Sequence, residues 1–388
     1  MFFLNILYIA ADAMNITDFI WAYIEMGHKV QTLDIRNIPF SERAGFLDMN
    51  LNNCSFHFVI TNNFITSVSE ACQKKHIPYV SWNFDAPVLA LYSQIAKNEY
   101  NYIFTFDKNE YLALKALSLP HVYHQPLCIN PSRIGAIEIT PEDENTFSSD
   151  ISFVGRLYED NFYNAYKDSI LSCYIPDLQP IIERFGDDYR SYSVEEAITP
   201  EETVFLNSFL PFLDENTTAY RNKDYLYHII ISPKMTELDR LRILNHLAQN
   251  HHLSLYTTSP FDLVKDADVH ASVNYDTTMN KIFYLSKINL NITSRQITSG
   301  IPQRVFDIMA CGGFVVTNHQ SELYTYFQKG KDLEVFETLQ ELDEIVDYYL
   351  HHEKERIQIA MNGYKKVISH HTYKQRAQTI LNILSATP

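Results

Sequence analysis

The chain has little of what marks several large classes of protein. Only ten of its 388 residues are glycine, so no glycine-rich linker is expected. No apolar run approaches the roughly 20 residues that a membrane-spanning helix needs. The cysteines are odd in number and form no CxxC pair, which predicts reduced thiols in a cytoplasmic protein. They are Cys54, Cys72, Cys128, Cys173 and Cys311.

Positive charge is also scarce. The chain has 31 lysine and arginine residues against 47 aspartate and glutamate residues, for a net charge of −16. Such a surface repels nucleic-acid phosphates and anionic lipid headgroups at long range. We therefore expect neither a nucleic-acid partner nor docking of a basic patch to a membrane. The oligomeric state is left open.

Motifs of metal and dinucleotide sites are missing. The turn after the first predicted strand has no GxGxxG, so a dinucleotide fingerprint is absent. No HExxH occurs, and the one candidate acidic pair, Asp266 and Asp268, lies in a predicted loop. The sequence therefore predicts neither a metal nor any other cofactor.

Two successive patterns of alternating strands and helices are present instead. The first occupies 1–130, and the second occupies 150–370 with a helical insertion at about 160–235. The polar, acidic stretch 131–149 between them predicts a linker. Such alternation is typical of an α/β protein with two Rossmann-like, doubly wound parallel-sheet domains. We expect the domains to face a cleft, because ligands of such sheets bind at the carboxyl ends of the strands.

The most informative segment is 299–317, with the sequence SGIPQRVFDIMACGGFVVT. It predicts a loop, a short helix that begins near Pro302 and ends at Gly312, and then a buried strand. The free N–H groups of such a helix start, together with the helix dipole, favour an anion such as phosphate. Arg304 lies in the first turn, where a cation gains nothing from the dipole. An anionic ligand would explain its position.

This segment resembles the nucleotide-sugar site of GT-B glycosyltransferases, and more closely the CgeB-like (spore maturation protein-like) branch of the group 1 family. The specific resemblance covers 270–384. The N-terminal half is similar more weakly, through 82–87 and 153–158. The resemblance implies a GT-B fold and metal-independent transfer of a sugar, with a UDP-sugar as the expected donor and a protein or glycan as the acceptor. The last helix, within 371–388, commonly crosses back to the N-terminal domain in that fold.

The same resemblance implies roles for the residues of the 299–304 loop. Ser299, Gly300 and Arg304 would hold the donor, with Arg304 on the diphosphate, and Asp307 would accept hydrogen bonds from the ribose hydroxyls. Many retaining members carry two acidic residues eight positions apart here. Asp307 stands at the second place, whereas Ser299 stands where the first acid is expected. The retaining mechanism therefore does not carry over directly, and retention or inversion stays open.

Other polar residues follow predicted strands of the second domain. Gly155 would let the backbone approach a phosphate and Arg156 would neutralise it, although a plain strand-ending turn has the same pattern. Tyr275 and Tyr284 are candidates for contacts with the nucleotide, but core packing is the default for a tyrosine. Asn291 ends a strand at the cleft edge, where a polar ligand contact is expected.

Two aspartates are candidates for a catalytic base. Glycosyl transfer needs either a base that deprotonates the acceptor hydroxyl or assistance from the leaving phosphate. Asp85 follows the fourth strand of the first domain, and Asp12 follows the first strand. Asp85 is equally suited to cap a helix predicted at 87–97, because aspartate often precedes a helix that begins with proline.

Two other functions fit the same residues. One is a nucleotide-sugar epimerase or hydrolase on the same scaffold, which would cleave the same bond. The other is a non-catalytic nucleotide- or glycan-binding module, which the replacement of an acid by Ser299 makes more credible. Release of UDP with and without an acceptor distinguishes the first from a transferase. UDP binding without turnover would support the second.

Overall fold

The computed structural model describes residues 3–11, 16–52, 55–135, 137–169, 171–209 and 222–386. The chain divides into two compact units. The first contains Met1–Asn130 and His371–Pro388, and the second contains Pro131–Phe209 and Asn222–His370. Within the described ranges, no helix has the length and apolar character needed to cross a membrane.

The first unit is built on a six-stranded parallel sheet in the order β2-β1-β3-β4-β5-β6. Its strands are β1 (Asn5–Ala10), β2 (Lys29–Asp34), β3 (Phe58–Asn62), β4 (Tyr79–Trp82), β5 (Asn101–Thr105) and β6 (Val122–His124). The helices between them are α1 (Ile16–Glu25), α2 (Phe40–Leu51), α3 (Thr66–Lys75) and α4 (Lys108–Ala116), and two 3-10 turns cover Leu89–Tyr92 and Gln94–Lys97. Strands β3, β4 and β5 are buried along their whole length, as the central strands of a covered parallel sheet must be.

The second unit has its own six-stranded parallel sheet, in the order β12-β11-β10-β7-β8-β9. Its strands are β7 (Ile151–Val154), β8 (Leu253–Thr257), β9 (Asp268–Ala271), β10 (Ile288–Asn291), β11 (Val315–Asn318) and β12 (Glu334–Phe336). The helices before β8 are α5 (Pro131–Ile134), α6 (Pro141–Phe147), α7 (Phe162–Tyr166), α8 (Ile175–Glu183), α9 (Val194–Ala197), α10 (Pro200–Phe209), α11 (Asn222–Leu226) and, after a π-helical turn at Tyr227–Ile231, α12 (Ser232–Asn250). Those after β9 are α13 (Thr278–Leu285), α14 (Gln303–Ala310), α15 (Leu323–Tyr326), α16 (Leu339–His351) and α17 (Glu353–His370). The α/β class with two doubly wound parallel sheets is confirmed.

The last helix, α18 (Tyr373–Ala386), belongs to the core of the first unit. Its buried face carries Tyr373, which packs edge-on against both Phe19 of α1 and Trp82 of β4. Arg376 fixes the start of the helix by donating from Nε to the carbonyl oxygen of Pro126 at 2.8 Å. An aromatic cluster of this size supplies much of the apolar area that the first sheet buries on this face.

Two local predictions differ from the structure. The helix predicted at 87–97 is a pair of 3-10 turns, because Ser93 adopts extended dihedrals and bonds back to the carbonyl oxygen of Ala90. The stretch 131–149, expected to be a linker, contains α5 and α6. Thr140 and Asp143 form a capping box that begins α6, a signal that the acidic composition obscured.

Glu110 of α4 anchors the segment that precedes these turns. Its Oε1 accepts a hydrogen bond from the N–H of Val88 at 2.8 Å, and its Oε2 accepts one from the hydroxyl of Thr105 at 2.6 Å. Burial raises the pKa of the Glu110 carboxyl to about 7, although both hydrogen bonds oppose the shift; the charges of Asp107 and Asp85 add to it. The folded protein therefore holds this proton at a pH where the unfolded chain has lost it.

Replacement of Gly313 by alanine tests how tightly the turn between α14 and β11 packs against its neighbours. An added Cβ would lie 2.6 Å from the carbonyl oxygen of Phe283 and 2.7 Å from Nδ2 of Asn289. We expect Gly313→Ala to lower the free energy of unfolding by about 2 kcal/mol or more, measured by urea denaturation. Gly45→Ala in α2 is the matched control, since nothing lies within 4 Å of its added Cβ, and it should be neutral or stabilising. Equal effects of the two changes would contradict this packing.

Glu110 gives a pH prediction with a defined sign. Between the unfolded pKa near 4.5 and the folded pKa near 7, the folded state binds more protons, so stability falls as pH rises through this window. Glu110→Gln mimics the protonated acid. We expect this variant to lack the decrease of about 2 kcal/mol in the free energy of unfolding that the wild type shows between pH 5 and pH 8. Urea denaturation at both pH values measures this. Glu70→Gln, an exposed position of α3, is the control. If the free energy of unfolding of both variants changes with pH as it does in the wild type, the Glu110 carboxyl is ionised in the folded protein.

Candidate functional site

Three arginines converge at the carboxyl edge of the second sheet. Arg156 follows β7, Arg304 lies in the first turn of α14, and Arg240 reaches the edge from α12. Arg240 hydrogen-bonds through Nη1 to the carbonyl oxygen of Arg156 and through Nη2 to that of Ile292 at 2.7 Å. Burial lowers the pKa of the Arg240 guanidinium and the charges of Arg304 and Arg156 lower it further, against opposing contributions from Tyr158 and Asp239. We name Arg156, Arg240 and Arg304 the arginine cluster.

Arg240 packs beside Gly155 at the end of β7. The guanidinium lies 5.3 Å from the ring centre of Phe153 and 4.8 Å from that of Tyr158. A Cβ added at Gly155 would come within 3.2 Å of the Phe153 ring and 3.6 Å of Nη1 of Arg240. Such a methyl group would therefore press on the Phe153 ring and make ordinary van der Waals contact with the guanidinium. Arg240 Nε is buried and has no hydrogen-bond partner among the described residues.

Arg304 is held against α13. Its guanidinium contacts the sulfur of Met279 and lies 5.5 Å from the ring centre of Phe283. Pro302 precedes α14 and supplies no side-chain cap. Arg304 is thus a half-buried cation beside a helix N-terminus, an arrangement that favours a bound anion.

Asp307 is the acid of this region, and it is 1% exposed. Its Oδ1 accepts hydrogen bonds from the Tyr275 hydroxyl at 3.0 Å and from Nε2 of Gln303 at 2.9 Å. Its Oδ2 lies 3.9 Å from Nη1 of Arg304 and has no hydrogen-bond partner in the described part of the chain. In this arrangement the carboxylate orients protein side chains. The expected contact with ribose hydroxyls stays a prediction.

Arg133 of α5 contacts Asp307 and Tyr275, and the sequence did not predict this position. Its Nη2 lies 3.6 Å from Oδ1 of Asp307 and donates to the Tyr275 hydroxyl at 3.2 Å. The guanidinium also covers the Tyr275 ring, 4.5 Å from its centre. The sequence carries no signal for this role, because Arg133 lies in the segment predicted to be a linker. Tyr275, by contrast, is brought to the site as expected.

Arg156 differs from the other two arginines because its side chain is 58% exposed and pairs with Asp160 at 2.5 Å. An exposed ion pair of this kind contributes little to stability. The guanidinium can therefore leave Asp160 for an incoming anion at small cost.

The remaining candidates of the second unit have different places. Ser299 and Gly300 are buried in the loop that leads to α14. Asn291 is buried at the end of β10, and its Nδ2 donates to the hydroxyls of Thr293 and Thr317 at 2.9 and 2.8 Å. Asn291 thus ties two strands together. Tyr284 is 57% exposed near the C-terminal end of α13, next to Phe283, and its expected contact with the nucleotide stays a prediction.

Asp85 lies at the carboxyl edge of the first sheet, just after β4. It is exposed and accepts a hydrogen bond from Nδ2 of Asn63 at 2.7 Å. Although the residue is exposed overall, the protein atoms around its carboxyl group partly displace water and so raise its pKa. The hydrogen bond from Asn63 opposes this shift. Asp85 caps no helix, because the segment that follows forms 3-10 turns whose first cap is Val88. Asp12 lies outside the described residues.

A cavity of about 590 Å³ lies elsewhere in the first unit. Leu4, Met26, His28 and Leu381 are among its lining residues. Leu4 and His28 directly precede β1 and β2, so the cavity lies at the amino edge of that sheet. Ligands of doubly wound sheets bind at the carboxyl edge, and the cavity is therefore no part of the candidate site.

Comparison with known proteins shows a family similarity in the C-terminal part of the chain. Residues 240–382 match the family model described as glycosyl transferase-like. The matched region contains Arg240, Tyr275, Arg304 and Asp307. No curated protein matches the sequence of the chain.

Solved structures match over nearly the whole chain. Anabaena HepE, crystallised in complex with UDP and glucose, has a TM-score of 0.58 at 10% identity, over 99% of this chain and 100% of that one. Sucrose-phosphate synthase from Thermosynechococcus elongatus has a TM-score of 0.58 at 9% identity with the same coverage. A glycosyltransferase from Rickettsia africae has 0.57 at 8% identity, over 100% of both chains. The chain therefore has the GT-B fold, and its residues 240–382 match the glycosyl transferase-like family.

Proposed function

We propose that the protein is a glycosyltransferase that binds a nucleotide diphosphate sugar at the carboxyl edge of the second sheet. The observation that carries this proposal is the arginine cluster at the start of α14. Three guanidinium groups and a helix N-terminus match the charge of a diphosphate. The family match of residues 240–382 and the shared GT-B fold support the same reading.

The electrostatics of Arg240 give the proposal its physical basis. Arg240 is a half-buried cation whose pKa is lowered by desolvation and by two other cations, so an approaching anion stabilises it. The net charge of the chain is −16, so this positive cluster is a local exception. It would attract a nucleotide diphosphate without attracting nucleic acid to the surface at large.

UDP is the nucleotide that the comparisons favour. HepE was crystallised with UDP, with UDP-glucose, and with UDP and glucose. We extend this to a UDP-sugar donor for the present chain. A CgeB-like subgroup and a protein or glycan acceptor are proposals that rest on the sequence resemblance alone. A cytoplasmic location is a proposal that rests on the odd number of cysteines and the lack of a CxxC pair.

The chemistry follows from the charges. Transfer breaks the bond between the sugar and the β-phosphate, and negative charge grows on the departing diphosphate. Arg240, Arg304 and Arg156 would stabilise that charge, so that no metal is required. Asp307 and Arg133 would keep Arg304 and Tyr275 oriented. Asp85, with its raised pKa, would accept the proton of the acceptor hydroxyl.

Removal of the Arg240 charge tests donor binding. We expect Arg240→Met, which keeps the apolar stem, to weaken UDP binding about 10- to 100-fold, the effect of losing one or two charge-assisted hydrogen bonds. Isothermal titration calorimetry measures the affinity, and the melting temperature without nucleotide reports folding. Lys287→Met is the matched control, because Lys287 is an exposed cation that precedes β10 and pairs with Asp150 at 2.7 Å.

Either of two results would overturn the donor site. One is a folded wild-type protein whose melting temperature no nucleotide raises, since a ligand of the native state must raise it. The other is loss of UDP binding to the same extent in Arg240→Met and Lys287→Met. Tight UDP binding with no turnover of any nucleotide sugar would support the alternative of a non-catalytic binding module.

Asp85→Asn tests the base. With the nucleotide sugar that stabilises the wild type most, we expect the turnover number for UDP release to fall by about 10²- to 10⁴-fold. The affinity for UDP should stay unchanged, since Asp85 lies on the first sheet. Asp48→Asn, an exposed aspartate of α2 that pairs with Lys75, is the control. Wild-type turnover in Asp85→Asn, with water and with free glucose as acceptors, would exclude this residue as the base.

A further inference from the structure

We infer that Glu322, held by Ser299 and flanked by Gln320, recognises hydroxyl groups of the donor sugar. It would supply from a second loop the carboxylate that position 299 lacks. The inference rests on the proposed function, because it takes the diphosphate of a nucleotide sugar to lie at the arginine cluster. Neither Glu322 nor Gln320 is among the candidate site residues of the sequence.

Two hydrogen bonds join the loops that carry this pair. The Ser299 hydroxyl donates to Oε1 of Glu322 at 2.8 Å, and the N–H of Glu322 donates to the carbonyl oxygen of Ser299 at 3.2 Å. Ser299 is 2% exposed and Glu322 is 4% exposed. The carboxylate therefore has a defined position, which a surface glutamate would lack.

The pair lies at the same sheet edge as the arginine cluster. Ser299 is four residues before the start of α14, and Gln320 and Glu322 follow β11 directly. Strand β11 pairs in parallel with β10, with Asn291 opposite Thr317, so the loops after both strands leave the sheet at one edge. In a nucleotide sugar the sugar is bonded directly to the β-phosphate. With the phosphates at α14, the sugar would lie beside the loop that enters that helix.

Gln320 supplies an independent indication of a polar ligand. Its side chain is 2% exposed, and its Oε1 has no hydrogen-bond partner in the described part of the chain. A buried acceptor without a donor destabilises the folded protein. A sugar hydroxyl would provide the donor. Glu322, Ser299 and Gln320 together offer a carboxylate, a hydroxyl and an amide. Such groups distinguish one sugar from another through hydrogen bonds to the sugar hydroxyls.

The Glu322 side chain has the chemistry to bind a sugar. Its carboxylate oxygens are acceptors for the hydroxyl groups that a sugar donates. A site built to hydrogen-bond hydroxyls discriminates strongly against a ligand that lacks them. Glu322 would accordingly affect the binding of a UDP-sugar and leave that of UDP alone.

The comparison of UDP with UDP-sugars tests the inference. Wild type and Glu322→Gln are titrated with UDP, UDP-glucose, UDP-galactose and UDP-N-acetylglucosamine. We expect UDP affinity to stay within about twofold, while affinity for the best UDP-sugar falls about 10- to 100-fold, as for a lost hydrogen bond to a charged group. Glu334→Gln is the matched control. Glu334 is also buried, and it accepts a hydrogen bond from the Tyr349 hydroxyl at 2.7 Å.

Three further outcomes bear on the inference. Equal losses for UDP and for the UDP-sugars in Glu322→Gln would show a purely structural role and overturn it, while the proposed function stands. Wild-type affinities throughout would also overturn it. A folded wild type that binds neither UDP nor any UDP-sugar would overturn the proposed function itself. If Glu322→Gln does not fold, Gln320→Leu replaces it, and the same selective loss for UDP-sugars is expected.

Discussion

Concentration of positive charge at the carboxyl edge of the second sheet is the constraint on which the site depends. Arg240 is anchored by two carbonyl oxygens, and it packs against the rings of Phe153 and Tyr158. Because desolvation and two other arginines lower its pKa, an approaching anion stabilises the charged guanidinium.

The same region keeps its other cations in fixed positions through buried carboxylates. Asp307 orients Arg133, Arg304 and the Tyr275 hydroxyl from one side chain. Asp239 does the same for Arg295, whose Nη groups also hold the backbone of residues 188 and 190. These pairs explain how an edge with several arginines can be built before a ligand arrives, since a preorganised site loses less freedom on binding.

Much of the fold followed from local pattern. The short helix predicted between Pro302 and Gly312 is α14, and the buried strand predicted after it is β11. Where prediction failed, a specific contact decided the outcome. Ser93 interrupts the helix predicted at 87–97, and the capping box of Thr140 forms a helix in the supposed linker.

The sequence alone determined the two alternating domains, the helix start near Pro302 and the candidacy of Arg156, Arg304, Asp307 and Tyr275. These follow from periodicity, from turn chemistry and from motif resemblance, all of which are local in the chain. Only the tertiary structure decided that Arg133 contacts Tyr275, that Arg240 joins the arginine cluster, and that Glu322 contacts Ser299. Such partners are separated by 23 to more than 140 residues, and only the folding of the sheet brings them together.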